Sequence, residues 1–185
     1  MPKGIVTMAN LNGTKTWLNL AEAFANESIV RNKYTYFAEQ AKRDGYEEIA
    51  DAFENAANNE KEHARVWFKL LCDDKISKTD ENLKTSILSE NLEWAEKYKK
   101  MSEEAHEEGF GNIAFLFESV AAIEKEHEEI FKSLLQEIED STILSKSKKA
   151  LWVCKICGYS TDSENAPEKC PVCEHPKSYF ELKNA

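Results

Sequence analysis

The chain has 185 residues, 34 acidic against 24 basic side chains, and a formal charge of −10. That length holds one full-sized domain plus a small one, and the acidic balance argues against nucleic acid or an anionic membrane as a partner. No apolar run approaches the ~20 residues that span a bilayer, and MPKGIVTMANLNG has no segment of signal-peptide length, so residues 1–15 read as an N-terminal segment of a cytoplasmic protein.

No proline stands between Pro2 and Pro167, which favours long uninterrupted helices. Four are predicted, Thr16 to Asp44, Tyr46 to Cys72, Thr79 to Glu108 and Asn112 to Asp140. Gly45 and Gly109 suit the left-handed position past a helix end, and Thr79 or Asp80 can cap the third helix. Short turns make helices one and two, and three and four, antiparallel neighbours in a four-helix bundle over residues 16–140.

Each helix carries an acid in its apolar stripe. In the first it is Glu27, among Leu20, Phe24 and Tyr34, and in the third it is Glu90, among Ile87, Trp94 and Tyr98. The second runs Phe53, Ala56, Glu60, His63, Trp67 and the fourth Phe117, Val120, Glu124, His127, Phe131, both at the 3,4 spacing of a core face. Glu and His three apart share a face, and each pair belongs to a copy of EKEH. A buried carboxylate costs several kcal/mol unless a cation meets it, and the cation expected here is a metal.

The repeat exceeds the motif. Shifted by 64 positions, Ala41 to Leu71 overlies Ala105 to Leu135 with 13 of 31 residues identical. Between Glu27 and Glu90 the offset is 63, a one-residue adjustment assigned here to a turn. One acid per helix plus two ExxH pairs is the donor set of a carboxylate-bridged dinuclear site, suited to iron or manganese. A single ExxH would read as a solvent-exposed charge pair, but two copies in phase with the stripe favour the metal. Glu103 and His106, in the charged run EEAHEE, read as such a solvated face. Phe131 stands where an HExxH would need its second His, which excludes a zinc-protease motif. Glu93 breaks the symmetry, because its counterpart is Val30; it is either a surface acid or an extra ligand for one metal only.

Residues 141–150, STILSKSKKA, read as a linker. Beyond it, over residues 151–185, Cys154, Cys157, Cys170 and Cys173 form C-x2-C-x12-C-x2-C, a tetrahedral four-thiolate site whose metal supplies folding energy to a module too small for its own core. Spacing alone also fits a zinc ribbon. Against that stand CGY, APEKCPVC and the aromatics Trp152, Tyr159, Tyr179 and Phe180, which are similar to rubredoxin. Cys72 reads as a packing residue, and His175 as a surface residue beside a complete ligand set.

From about residue 14 the chain resembles the rubrerythrin family, on AFANESIVRNKYTYFAEQA, both EKEH copies, SENLEW and the rubredoxin-like tail. One departure is the loop STDSENAPEK, which lacks a glycine often found there and so leaves the turn in question. The resemblance implies a mainly α fold, a ferritin-like di-iron bundle followed by a small rubredoxin-like β/loop domain. It also implies a carboxylate-bridged di-iron centre and a mononuclear iron in the four-cysteine site, with zinc a possible occupant in recombinant material. Glu60 and Glu124 would bridge the irons, Glu27 would bind one, and Glu90 with His127 the other. Glu93 and His63 would exchange on the first iron, the carboxylate favoured by ferric and the imidazole by ferrous ion. Tyr34 and Tyr98 would orient ligand carboxylates or serve as bundle core.

The implied activity is peroxidase, reducing hydrogen peroxide to water in oxidative-stress defence, in a head-to-tail homodimer. Electrons would come from a reductase or rubredoxin, linked to NAD(P)H through a separate enzyme because the chain has no GxGxxG fingerprint. The rival readings are a ferroxidase that handles iron and a zinc-bound interaction protein.

Overall fold

The structure is a computed structural model and describes residues 11–73 and 75–183. Most of the N-terminal segment read at residues 1–15 therefore lies outside the described residues. Two compact units divide the chain, Met1–Ser77 and Lys78–Ala185.

The first unit is an antiparallel helical hairpin of α1 (Lys15–Arg43) and α2 (Glu47–Leu71). Thr14 starts α1 by accepting a hydrogen bond from the Trp17 N–H, which satisfies one of the free donors of the first turn. Ala38, Ala41, Ala50, Ala57 and Ala64 are buried, and such small side chains let two helix backbones approach closely. Phe24 against Phe68 and Tyr34 against Phe53, with ring centroids 5.3 and 5.9 Å apart, extend the contact along the hairpin.

The second unit repeats the hairpin with one difference. Its first arm is α3 (Thr79–Leu92), a five-residue π-helical turn (Glu93–Lys97) and α4 (Tyr98–Glu107), and its second arm is α5 (Gly111–Glu139). The single third helix expected from sequence is thus interrupted at Glu93. From Glu27 to Tyr34 is seven positions, and from Glu90 to Tyr98 is eight. A π turn accommodates one residue more than the α-helix it interrupts, so the one-residue offset is absorbed inside the helix and not in a turn. Gly45 and Gly109 both close their hairpins at positive φ, 82° and 84°, as expected. The expected cap of the third helix is absent: Lys78 holds the N-cap position, and Thr79 and Asp80 lie in the first turn, where the Asp80 charge complements the helix dipole.

The C-terminal strands form an antiparallel sheet in the order β2-β1-β3, with β1 (Ser145–Cys154) in the centre between β2 (Ser160–Asn165) and β3 (Phe180–Leu182). Strand β1 begins inside residues 141–150, the stretch read as linker. Ser145 pairs with Asn165 and Ala150 with Ser163, and Leu144 packs on the module's core. The Ser and Lys residues hid that strand because Ser147, Lys148 and Lys149 are exposed in a row, where the register with β2 is irregular, so no apolar alternation marks it. The glycine-free loop is mostly strand β2, which needs no turn residue there. Trp152, Cys154, Ala166, Cys170 and Phe180 make the core, in which two of five residues are predicted metal ligands.

Candidate metal centres

In the first hairpin, Glu27 on α1 meets Glu60 and His63 on α2, with donor atoms of all three within 4.8 Å of one another. His63 Nδ1 lies 2.9 Å from Glu60 Oε2 and 3.9 Å from Glu27 Oε1. The second hairpin repeats the group with Glu90, Glu124 and His127, His127 Nδ1 lying 2.7 Å from Glu124 Oε2. The glutamates of the two EKEH motifs are deeper than the imidazoles, at 19 and 16 % side-chain exposure against 56 and 47 %.

These triads are built to hold positive charge. Glu27 is held above the usual carboxylate range chiefly by sharing a proton with Glu60, with burial and the Glu60 charge adding to the effect. Glu60 is lowered by the hydrogen bonds from Glu27 and His63. Glu90 is raised by burial first, then by Glu124 and Glu93. Two carboxylates pressed together need a cation, and a divalent metal satisfies both along with the neighbouring imidazole. Trp67 Nε1 is also buried without a hydrogen-bond partner, close enough to Glu27 to favour its charged form.

Glu93 stands at the first position of the π turn, outside the second triad, with Lys97 Nζ 3.9 Å away. Its charge still reaches the site, raising Glu90 and, after burial, Tyr98. Tyr98 also packs on Phe117, with ring centroids 6.1 Å apart, and Tyr34 packs on Phe37 and Phe53.

His106 Nε2 lies 3.3 Å from Glu118 Oε1, a surface pair that repeats Lys42 with Glu54 in the first hairpin. Neither Glu103 nor His106 belongs to a triad. Glu103→Ala is accordingly expected to leave metal content unchanged after reconstitution, and a loss of bound iron would show that this face takes part.

Cys154, Cys157, Cys170 and Cys173 bring four sulfurs within 4.8 Å of one another. Cys154 to Cys173 and Cys157 to Cys170 are each 3.6 Å apart. Burial opposes ionisation of Cys170, yet the backbone N–H groups of Cys173 and Val172 and the thiols of Cys173 and Cys157 lower it to about 6. The His175 N–H favours a Cys173 thiolate, but burial and the three neighbouring sulfurs push that thiol up to about 12. The Cys170 thiolate forms readily while Cys173 resists, and a metal ion bound to the four sulfurs favours the thiolate form. His175 turns away from the sulfurs, with Nδ1 3.1 Å from the Cys173 carbonyl and its ring against Tyr179. Cys72 is half-buried at the end of α2.

The rubrerythrin family model matches residues 19–79 and 81–156, and a second model, the rubrerythrin rubredoxin-like domain, matches residues 152–181. The chain belongs to the rubrerythrin family. Similar relatives include the rubrerythrin of Porphyromonas gingivalis, 40% identical over 93% of this chain and 92% of its own. A putative rubrerythrin of Methanocaldococcus jannaschii is 41% identical over 94% and 95%. The rubrerythrin of Nitratidesulfovibrio vulgaris is 38% identical over 95% and 97%. As a rubrerythrin the chain is an iron-binding oxidoreductase, mainly helical, with a ferritin-like part before its rubredoxin-like part. The donor chemistry fits both family cofactors: carboxylate and imidazole for non-haem di-iron, four thiolates for a single iron. No helix among the described residues is long and apolar enough to cross a membrane.

Two groups escaped the sequence reading. Trp67 was read only as stripe, although the second half has Phe131, with no N–H, in its place. Glu128, the residue after His127, is among the most buried charged groups described, at 3 % exposure. The signal for it was EKEHE against EKEHA, an acid where the first repeat has Ala64.

Proposed function

We propose that this rubrerythrin is a cytoplasmic peroxidase. It reduces hydrogen peroxide to water at a di-iron centre, with electrons entering through the four-cysteine iron. The observation that carries the reading is the matched pair of triads, identical in residue type, on a chain that also carries a one-electron thiolate site. Two irons, if bound, would supply the two electrons that cleavage of the O–O bond consumes together with two protons to give two waters. Glu60 and Glu124 would be shared by the two metals, Glu27 would hold the first, and Glu90 with His127 the second. His63 and Glu93 would be alternative ligands of the first. Tyr34 and Tyr98 restrain the carboxylates, as outer partners of metal ligands do. A separate NAD(P)H-dependent reductase, or a rubredoxin, refills the thiolate site. The working unit is a head-to-tail homodimer.

The test is anaerobic. Reduce the iron-loaded protein, remove excess reductant, add hydrogen peroxide, and follow the ferric-thiolate absorption. Its return within the mixing time, with peroxide consumed in proportion, is expected. Faster oxidation of added ferrous ion by oxygen than by peroxide, with iron accumulating on the protein, would replace this reading with the ferroxidase one.

A further inference from the structure

Glu128 lies in α5 directly after the ligand His127, and no step proposed above uses it. Its carboxylate receives the indole N–H of Trp94 at Oε2, the Asn91 amide at 3.2 and 3.3 Å, and the Lys132 ammonium at 2.9 Å. Lys125, also on α5, sits over the Trp94 ring at 5.3 Å. Asn91 is two residues before Glu93 and Trp94 is one after it, so α5 grips the helix on both sides of the unmatched acid. The first hairpin has none of this. Ala64 replaces Glu128, Phe68 replaces Lys132, α1 runs without a π turn, and Val30 stands in place of Glu93.

The π turn makes such a grip necessary. One surplus residue in a helix can sit before or after a given position, and each residue of shift rotates the side chain by roughly 100° about the axis. A surplus that moved past Glu93 would turn its carboxylate away from the face shared with Glu90. A buried carboxylate bonded to Asn91 and Trp94 makes one placement of the surplus far better than its neighbours, because a slip in either direction rotates Asn91 or Trp94 off the carboxylate and leaves a buried charge with fewer partners.

We propose that Glu128 is a positioning residue, clasping Asn91 and Trp94 so that the π turn stays at Glu93–Lys97 and Glu93 faces the second triad. This rests on the reading of Glu93 as a ligand of one iron only. The clasp is independent of the reaction itself.

Two measurements on the full-length protein with its four-cysteine site loaded test it. In the first, amide hydrogen exchange is followed across residues 90–98 in wild type, Glu128→Gln and Trp94→Phe. Exchange of residues 93–97 is expected to be about tenfold or more faster in both variants, with α5 unchanged, and equal protection in both would overturn the clasp. Trp94→Phe keeps an aromatic side chain and removes the indole donor, so it carries this test if Glu128→Gln fails to fold.

The second measurement is anaerobic titration with Co(II) of wild type, Glu93→Gln, Trp94→Phe and the double variant. Glu93→Gln and Trp94→Phe are each expected to weaken one of the two helical-site ions by about tenfold, the range in which outer partners of metal ligands act, and to spare the other. The double variant should bind no more weakly than Glu93→Gln alone, because the clasp acts through Glu93. Additive losses, or equal weakening of both ions, would refute positioning and leave a packing role. If Glu93→Gln alters neither ion, the ligand assignment fails, and the exchange result still decides whether the clasp exists.

Discussion

Replacing Glu60 with alanine is expected to empty the helical part of both its irons, leaving only the iron of the four-cysteine site. Glu60 sits at the centre of its triad, against Glu27 and against His63 at 2.9 Å, and as a bridging ligand it would bear on both metals. Its removal would take a ligand from each ion and leave the Glu27 carboxyl without its Glu60 hydrogen-bond partner. Turnover with hydrogen peroxide should fall by about a hundredfold or more, equivalent to roughly 3 kcal/mol of barrier. Glu124→Ala should match it, since the second triad repeats the first. Iron content after anaerobic reconstitution and desalting is the direct measurement. Two tightly retained irons with normal turnover in Glu60→Ala would end the bridging assignment.

The second large effect concerns the C-terminal module. Two of the five residues in its core are Cys154 and Cys170, so removing the metal removes the reason those side chains are buried. Structural sites of this kind contribute apparent binding energies of about 10 kcal/mol or more to folding, beyond what a core of this size can offset. Strong chelation, or a Cys154→Ser, Cys157→Ser double substitution, should therefore unfold β1 to β3 while the helices persist. Hydrogen exchange across residues 145–182 should rise to unfolded rates, and the helical circular dichroism should stay. Continued protection of Trp152, at 0 % exposure in the metal-binding fold, would show that the sheet stands without metal.

The legible features were those that obey a period. Four long apolar stripes, two glycines at matching offsets, two ExxH pairs and a cysteine spacing each gave their element or ligand group directly, because position along a helix or knuckle fixes the direction of a side chain. What stayed hidden breaks a period or sits between two elements. The π turn showed as a change of offset from 64 to 63, but sequence does not say where a surplus residue lodges, and a turn was the ordinary place for it. Strand β1 begins among Ser and Lys that are exposed in succession at an irregular register, so no period of two shows there. Glu128 looked like one more helix-surface acid, since its burial depends on Asn91 and Trp94 from the opposite arm.

The π turn has a genetic meaning as well. One surplus residue between Glu90 and Tyr98, with the hairpin loop and the partner helix kept in register, separates the second arm from the first. The converse is equally economical. Deleting a single residue after Glu93 in that turn would restore an unbroken α-helix and return the second arm to the register of the first, while Glu93 against Val30 records a separate substitution.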